Sequence, residues 1–202
     1  MDNSDEMLSI AIEKKYESGH DILYLNQDMR EFELYGTVAA VVSLCDSMNY
    51  LTSEEDLLQV FKLVNNYLDP GGYFIFDMKT EYHYETLMGN CTIVDNREEC
   101  SLIWENFYDK EKQLNQYDIT IYAKAEFEDD EEEEDMPPLF ERMEESHVQR
   151  AYSVEKIKEL LEQAGMEFVA VYDSCTKDAP KPDSDRVYFI ARETYQENKY
   201  YE

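Results

Sequence analysis

Two apolar runs without alternation, Val38 to Leu44 (VAAVVSL) and Tyr73 to Phe76 (YFIF), flank a segment of different rhythm. That contrast narrows the possible folds more than any other feature of the chain. A continuous apolar run suits a strand covered on both faces, as in a parallel sheet. Between the runs, Leu57, Leu58, Phe61, Val64 and Leu68 recur at the 3.6-residue helical period, after the capping-box spacing of Thr52 and Glu55. Asp69, Pro70, Gly71 and Gly72 then make a turn that stops the helix, and the second run ends at Asp77. Strand, helix and strand at this spacing predict a right-handed βαβ unit and an α/β fold.

The flanking segments extend the pattern. Ser4 reads as the N-cap of an amphipathic helix with Met7, Leu8, Ala11, Ile12 and Tyr16 near one face and Gly19 at its end. Ile22 to Leu25 is a short apolar run leading into Asn26, Gln27 and Asp28. From Cys91 to Tyr152 the helical period gives way to rough two-residue alternation, as in Tyr117, Ile119 and Ile121. This predicts an antiparallel insertion of about four strands, with the acidic run Glu128 to Asp135 (EDDEEEED) at one of its turns. Ser153 caps a further helix with Ile157, Leu160, Leu161 and Ala164 inward and Gly165 at its end. Phe168 to Tyr172 and Val187 to Ala191 read as closing strands. The expected organisation is a partial Rossmann-like core over 1–90, an antiparallel β cover on the substrate side over 91–152, the closing helix and last two strands of the core over 153–193, and a polar tail over 194–202.

Eighteen basic residues against forty-seven acidic ones give a formal charge of −29, which repels phosphate backbones and anionic lipid. No nucleic-acid or membrane partner is expected. Cys45, Cys91, Cys100 and Cys175 show no CxxC or His-linked spacing, and His20 and His83 read as loop residues, so no metal site is expected. No apolar stretch approaches the roughly 20 residues that span a bilayer, and the acidic start MDNSDEML is unlike a signal peptide. A cytoplasmic protein is the expectation.

Ligands in open α/β sheets sit outside the carboxyl ends of strands. Here those positions carry Asp2, Asp28 with Met29, Asp46 with Ser47, and Asp77. DNSDEML resembles the segment after the second strand of class I S-adenosylmethionine-dependent methyltransferases, and NQDMREF the segment after their third. AAVVSLCDSMNYL is similar to the fourth strand and its loop, LDPGGYFIFD to the fifth strand, and AYSVEKIKELLEQAGMEFVAVYD to the last helix and sixth strand. The resemblance covers nearly the whole chain and implies S-adenosyl-L-methionine as cofactor and a small-molecule acceptor. It implies that Asp2 accepts hydrogen bonds from the ribose, that Asp28 faces the adenine amino group with Met29 on the ring, and that Cys45 and Asp46 lie near the methionine end. Asn49, Tyr50, His147 and Arg150 become candidates for the acceptor side. Alternation sets His147 with Gln149 on one strand face and Arg150 with Tyr152 on the other. Turn or helix capping is the competing role for Asp2 and Asp28, and an inert buried thiol for Cys45. Methyl transfer from a sulfonium is mainly a matter of positioning, so no catalytic side chain is required.

The family's first strand and glycine-rich loop precede the acidic ribose residue by about twenty residues, at the helix N-terminus that dinucleotide folds also use. Only Met1 precedes Asp2, and the six glycines form no GxG. The expected sheet therefore lacks its first strand and exposes an apolar edge open to self-association. A truncated gene model, a protein completed by another chain and a relative that no longer catalyses all account for this, and the retained Asp2, Asp28 and Met29 favour the first. The alternative function is that of a non-catalytic acidic interaction protein.

Overall fold

The computed structural model describes residues 1–125 and 138–195. The acidic run Glu128 to Asp135 and the tail beyond Tyr195 lie outside the described residues. Helix α1 (Asp5–Ser18) starts at Ser4, whose hydroxyl accepts from the Met7 N–H, and ends at Gly19 in the left-handed conformation. Its expected apolar face is not buried: Leu8 is, but Met7 and Ile12 face solvent and Tyr16 is 81% exposed. Neighbouring chain anchors this helix in place of a sheet face, through a parallel bridge between Asp2 and Asn26 and a 2.6 Å bond from Lys15 Nζ to the Ile22 carbonyl. Ile22 to Leu25 is accordingly irregular, with Leu23 exposed.

Strand β1 (Val38–Ser43), helix α2 (Glu54–Tyr67) and strand β2 (Leu68–Lys79) form the expected unit, with β1 parallel to β2. Ser53, not Thr52, caps α2, its hydroxyl accepting from the Asp56 N–H at 3.0 Å; the Thr52 carbonyl instead receives Arg150. The Asp69–Gly72 turn is a bulge inside β2, since Val38 pairs with Leu68 but Ala40 with Tyr73. Gly71 has φ +76°, and a Cβ on Gly72 would sit 2.9 Å from the Ala39 carbonyl oxygen. Glycine is what lets the bulge press against β1.

Strands β3 (Cys91–Asn96), β4 (Cys100–Asp109), β5 (Leu114–Lys124) and β6 (Phe140–Arg150) form an antiparallel sheet in that order. Helix α3 (Val154–Gln163), capped by Ser153, leads into β7 (Met166–Asp173) and β8 (Arg186–Glu193). The other sheet runs β1-β2-β8-β7, with β8 antiparallel to both neighbours.

Phe74, Phe76 and Met78 of β2 and Val187, Phe189 and Ala191 of β8 share one face, and α2 and α3 close over it with Leu57, Phe61, Ile157 and Leu161. Phe76 is 0% exposed and stacks on Phe74 at 4.5 Å and on Phe189 at 5.0 Å. The opposite face is covered less. Sequence reading expected β1 to be buried on both faces, yet Val42 is 56% and Leu44 48% exposed. Among the described residues β1 is hydrogen-bonded only to β2, and the helices cover the face to which Val42 does not point.

An ion cluster joins the two sheets. Arg186, at the start of β8, donates to Asp46 at 2.7 Å and to Asp77 of β2, while Lys79 lies 3.3 Å from Asp46. From β6, Gln149 donates to Asp46 at 2.9 Å and accepts from the buried Tyr84 hydroxyl. Burial alone would raise the Asp46 carboxyl, but the Gln149 hydrogen bond and the Lys79 and Arg186 charges outweigh it and hold the carboxyl below its usual range.

Two stability measurements follow from this packing. Phe76→Ala is expected to lower the unfolding free energy by about 3–5 kcal/mol, read as a lower urea midpoint at unchanged slope. Arg186→Met leaves the two carboxylates short of a partner and is expected to cost about 3 kcal/mol. Because the folded Asp46 pKa lies below its ordinary 3.8, its stabilisation is complete above that pH and is lost as pH falls further. Acid titration of the folded fraction should show this limb in the parent protein and a smaller one in Arg186→Met.

Candidate functional site

The Asp2–Asn26 bridge lays two short segments side by side: Asp2 N–H donates to the Leu25 carbonyl, and Gln27 N–H donates back to the Asp2 carbonyl, both at 3.1 Å. The side chains that follow each segment open onto one cavity of about 600 Å³. Asp2, Asn3 and Ser4 line it from one segment, and Gln27, Asp28, Met29 and Arg30 from the other. Ser47, Tyr50 and Leu51 reach it from the turn after β1, and His147 from β6. A volume of this size lies in the range of small-molecule sites.

Both acidic residues also serve their own turns. Asp2 Oδ1 accepts from the Ser4 N–H at 3.0 Å. Asp28 accepts from the Arg30 N–H at 2.8 Å and from its guanidinium at 2.5 to 3.1 Å. Those bonds, the guanidinium's first, hold the Asp28 carboxyl below its usual range, so it is ionised at neutral pH. A carboxylate has about four acceptor sites, and turn capping occupies only part of that capacity. Met29 packs partly on the main core, which fixes the thioether at the cavity wall.

The remaining sequence candidates divide. Tyr50 and His147 meet in the cavity, with Tyr50 Oη 3.1 Å from His147 Nδ1. Asn49 is 0% exposed and is used up by backbone: it donates to the Lys79 and Arg150 carbonyls at 3.1 and 2.8 Å and accepts from the Lys79 N–H at 2.9 Å. Arg150 lies outside the cavity lining, donating to the Thr52 carbonyl, pairing with Glu54 at 3.4 Å and covering the Tyr152 ring. Cys45 and Asp46 also lie outside the lining; both have positive φ, and Asp46 belongs to the ion cluster. Cys45 is exposed rather than buried.

Three participants had no signal in the local pattern. Tyr117 Oη lies 2.7 Å from Tyr50 Oη, Glu145 Oε2 lies 3.1 Å from His147 Nε2, and Trp104 stacks on Tyr117 at 4.7 Å. Cross-strand register brings Tyr117 opposite His147, while Glu145 reaches His147 from two residues away on the same strand. Two-residue alternation marked the face of each strand but could not say which residues would be opposite one another.

No family model matches the chain. It is 32% identical over 195 residues to a Bacillus subtilis (strain 168) protein named "Putative methyltransferase YqeM", a match covering 96% of this chain and 74% of the relative. Its fold superposes with TM-score 0.84 on the crystal structure of a S-adenosylmethionine-dependent methyltransferase from Clostridium acetobutylicum ATCC 824, at 25% identity, over 96% of this chain and 73% of that one. The fold is also that of S-adenosylmethionine-bound CalS10, an amino pentose methyltransferase from Micromonospora echinaspora, with TM-score 0.58 at 15% identity over 83% of this chain and 63% of that one. Sequence and fold agree: this chain belongs to the class I S-adenosylmethionine-dependent methyltransferase family.

Proposed function

We propose that the cavity between residues 2 and 28 binds the nucleoside end of S-adenosyl-L-methionine and that the protein methylates a small-molecule acceptor. The observation that carries this is the meeting of Asp2, Asp28 and Met29 on one cavity wall, although the first and second stand 26 positions apart in the chain. The donor set suits the ligand. A ribose diol is best held by an ionised carboxylate, an adenine amino group needs an acceptor, and a thioether offers the ring a polarisable apolar surface.

When bound, the cofactor supplies a methyl group on a sulfonium, already activated for in-line displacement. The chain's own residues then bind, orient and exclude water. Asp2 takes the ribose hydroxyls, Asp28 the adenine amino group, and Met29 the ring face. Cys45 and Asp46 are assigned to the methionine end on the family pattern; the salt bridges of Asp46 fix the turn in which both sit. Tyr50 and His147 form the acceptor side, and Asn49 and Arg150 support it by tying the turn after β1 to β6 and to the start of α2.

Isothermal titration of the chain with S-adenosylhomocysteine tests this reading, with micromolar binding expected. Asp2→Ala and Asp28→Ala should each weaken it roughly tenfold or more, as loss of charge-assisted hydrogen bonds does. Absence of any binding heat in the parent chain overturns the assignment.

A second reading has one observation of its own in favour. Val42, on a strand bonded on one side only among the described residues, and Leu44 just beyond its end expose apolar surface. On that reading the chain is an acidic interaction protein that adds a strand from a second copy to β1. Sedimentation should then show concentration-dependent association that Val42→Lys reduces. A monomer at every concentration counts against it.

A further inference from the structure

Three hydroxyl and imidazole groups at the acceptor end of the cavity form one connected chain. Tyr117 Oη is 2.7 Å from Tyr50 Oη, which is 3.1 Å from His147 Nδ1, and His147 Nε2 is 3.1 Å from Glu145 Oε2. The proton positions follow from chemistry. Glu145 is an acceptor, so Nε2 carries the hydrogen and Nδ1 presents its lone pair to the Tyr50 hydroxyl. Tyr117 is pushed to a high pKa, first by burial and then by its bond to Tyr50, so it stays protonated and donates to Tyr50. Tyr50, 43% exposed and on the cavity wall, thus has one oxygen lone pair left for a ligand.

We propose that this chain is a proton relay serving an amine acceptor, with Tyr50 as the residue that touches the substrate nitrogen, His147 as the proton store and Glu145 as its positioning residue. The inference rests on the methyl-transfer reading above. An acceptor already ionised, such as a thiolate or carboxylate, has no use for a base, whereas an ammonium must lose a proton before its nitrogen can attack. Acidic residues beside aromatic rings favour a cationic ligand over a neutral hydroxyl compound. In the step itself an ammonium proton passes to Tyr50 Oη as the Tyr50 proton moves to His147 Nδ1, leaving an imidazolium paired with Glu145. The freed nitrogen lone pair then forms the new carbon–nitrogen bond as the methyl–sulfur bond breaks, its electron pair remaining on a neutral thioether.

The charged and titratable groups around His147 are Glu145 on its own strand, Tyr117 on β5 and Tyr50 on the turn after β1. Across the cavity stand Asp2, Asp28, Arg30 and the Met1 residue. Protonation of His147 places a cation next to the ammonium and converts Nδ1 from acceptor to donor. Amine affinity should therefore be lower once His147 is protonated, and the affinity of an uncharged isostere much less affected.

The chain's single Trp, Trp104, stacks on Tyr117, which stacks on His147 at 4.8 Å, and reports the site by fluorescence. Benzylamine and benzyl alcohol are the probes. Benzylamine should bind about tenfold more tightly than benzyl alcohol, and acidification that protonates His147 should remove most of that preference. His147→Gln should abolish the pH dependence, Tyr50→Phe the preference, and Glu145→Gln should weaken the preference while alcohol binding persists. Equal affinities, an unchanged pH dependence in His147→Gln, or no fluorescence response to either probe overturns the relay. S-adenosylhomocysteine binding without amine preference sinks this inference alone, and amine preference without S-adenosylhomocysteine binding sinks the methyl-transfer reading alone.

Discussion

Two carboxylates at the ends of adjacent parallel strands would repel one another in a buried setting, and the fold turns on what neutralises them. Arg186 donates to both Asp46 and Asp77, Lys79 adds a second positive charge, and Gln149 brings the antiparallel sheet to the same point. The cluster draws on the turn after β1, on β2, on β6 and on β8, so it forms only when both sheets are in place. Asn49, three residues beyond Asp46, then satisfies its whole amide on the backbone of β2 and β6. The position of Tyr50 is a consequence of these bonds, since its neighbour cannot shift without breaking three of them.

The same arrangement explains how a chain of charge −29 keeps an ordered interior. Its few basic side chains are placed where acidic ones converge: Arg186 and Lys79 in the cluster, Arg30 on Asp28, and Arg150 and Lys156 on Glu54. The exposed pairs among these contribute little to stability. The cluster differs because Asp77 is fully buried, where an unpaired charge would be costly.

What was legible in the sequence was whatever local pattern determines. The βαβ unit follows from two apolar runs and one helical period, and Ser4 and Ser153 are the caps their spacing implies. Thr52 and Ser53 are adjacent candidates for the same cap, and only the chain's path decides between them; Arg150 occupies the Thr52 carbonyl. The face of α1 was misread because periodicity reports an apolar stripe without reporting whether anything covers it. Asp2 and Asp28 were legible through a family resemblance, and the bridge that brings them together, Asp2 with Asn26, is a single non-local pairing. Arg186 and Tyr117 were invisible for the same reason: their partners lie 67 to 140 residues away, which no local window contains. Glu145 sits two residues from its partner His147, and its place follows only once the fold has brought His147 to the cavity.

On the proposed function, the cavity divides the labour between two kinds of structure. Loops held by one bridge and by a bidentate Arg30–Asp28 pair face the nucleoside, while His147, backed by the stacked Tyr117 and Trp104, faces the acceptor. A stacked row on paired strands holds its geometry more tightly than a loop, and proton transfer from a substrate nitrogen demands a hydrogen-bond distance near 3 Å. The nucleoside tolerates looser support, because a carboxylate can accept from a diol over a range of positions. Changing the acceptor would then require new side chains at Tyr50 and at His147 on β6. The ion cluster that aligns the two halves would stay as it is, because Gln149, its contribution from β6, lies two residues beyond His147 on the same face and reaches Asp46 rather than the cavity.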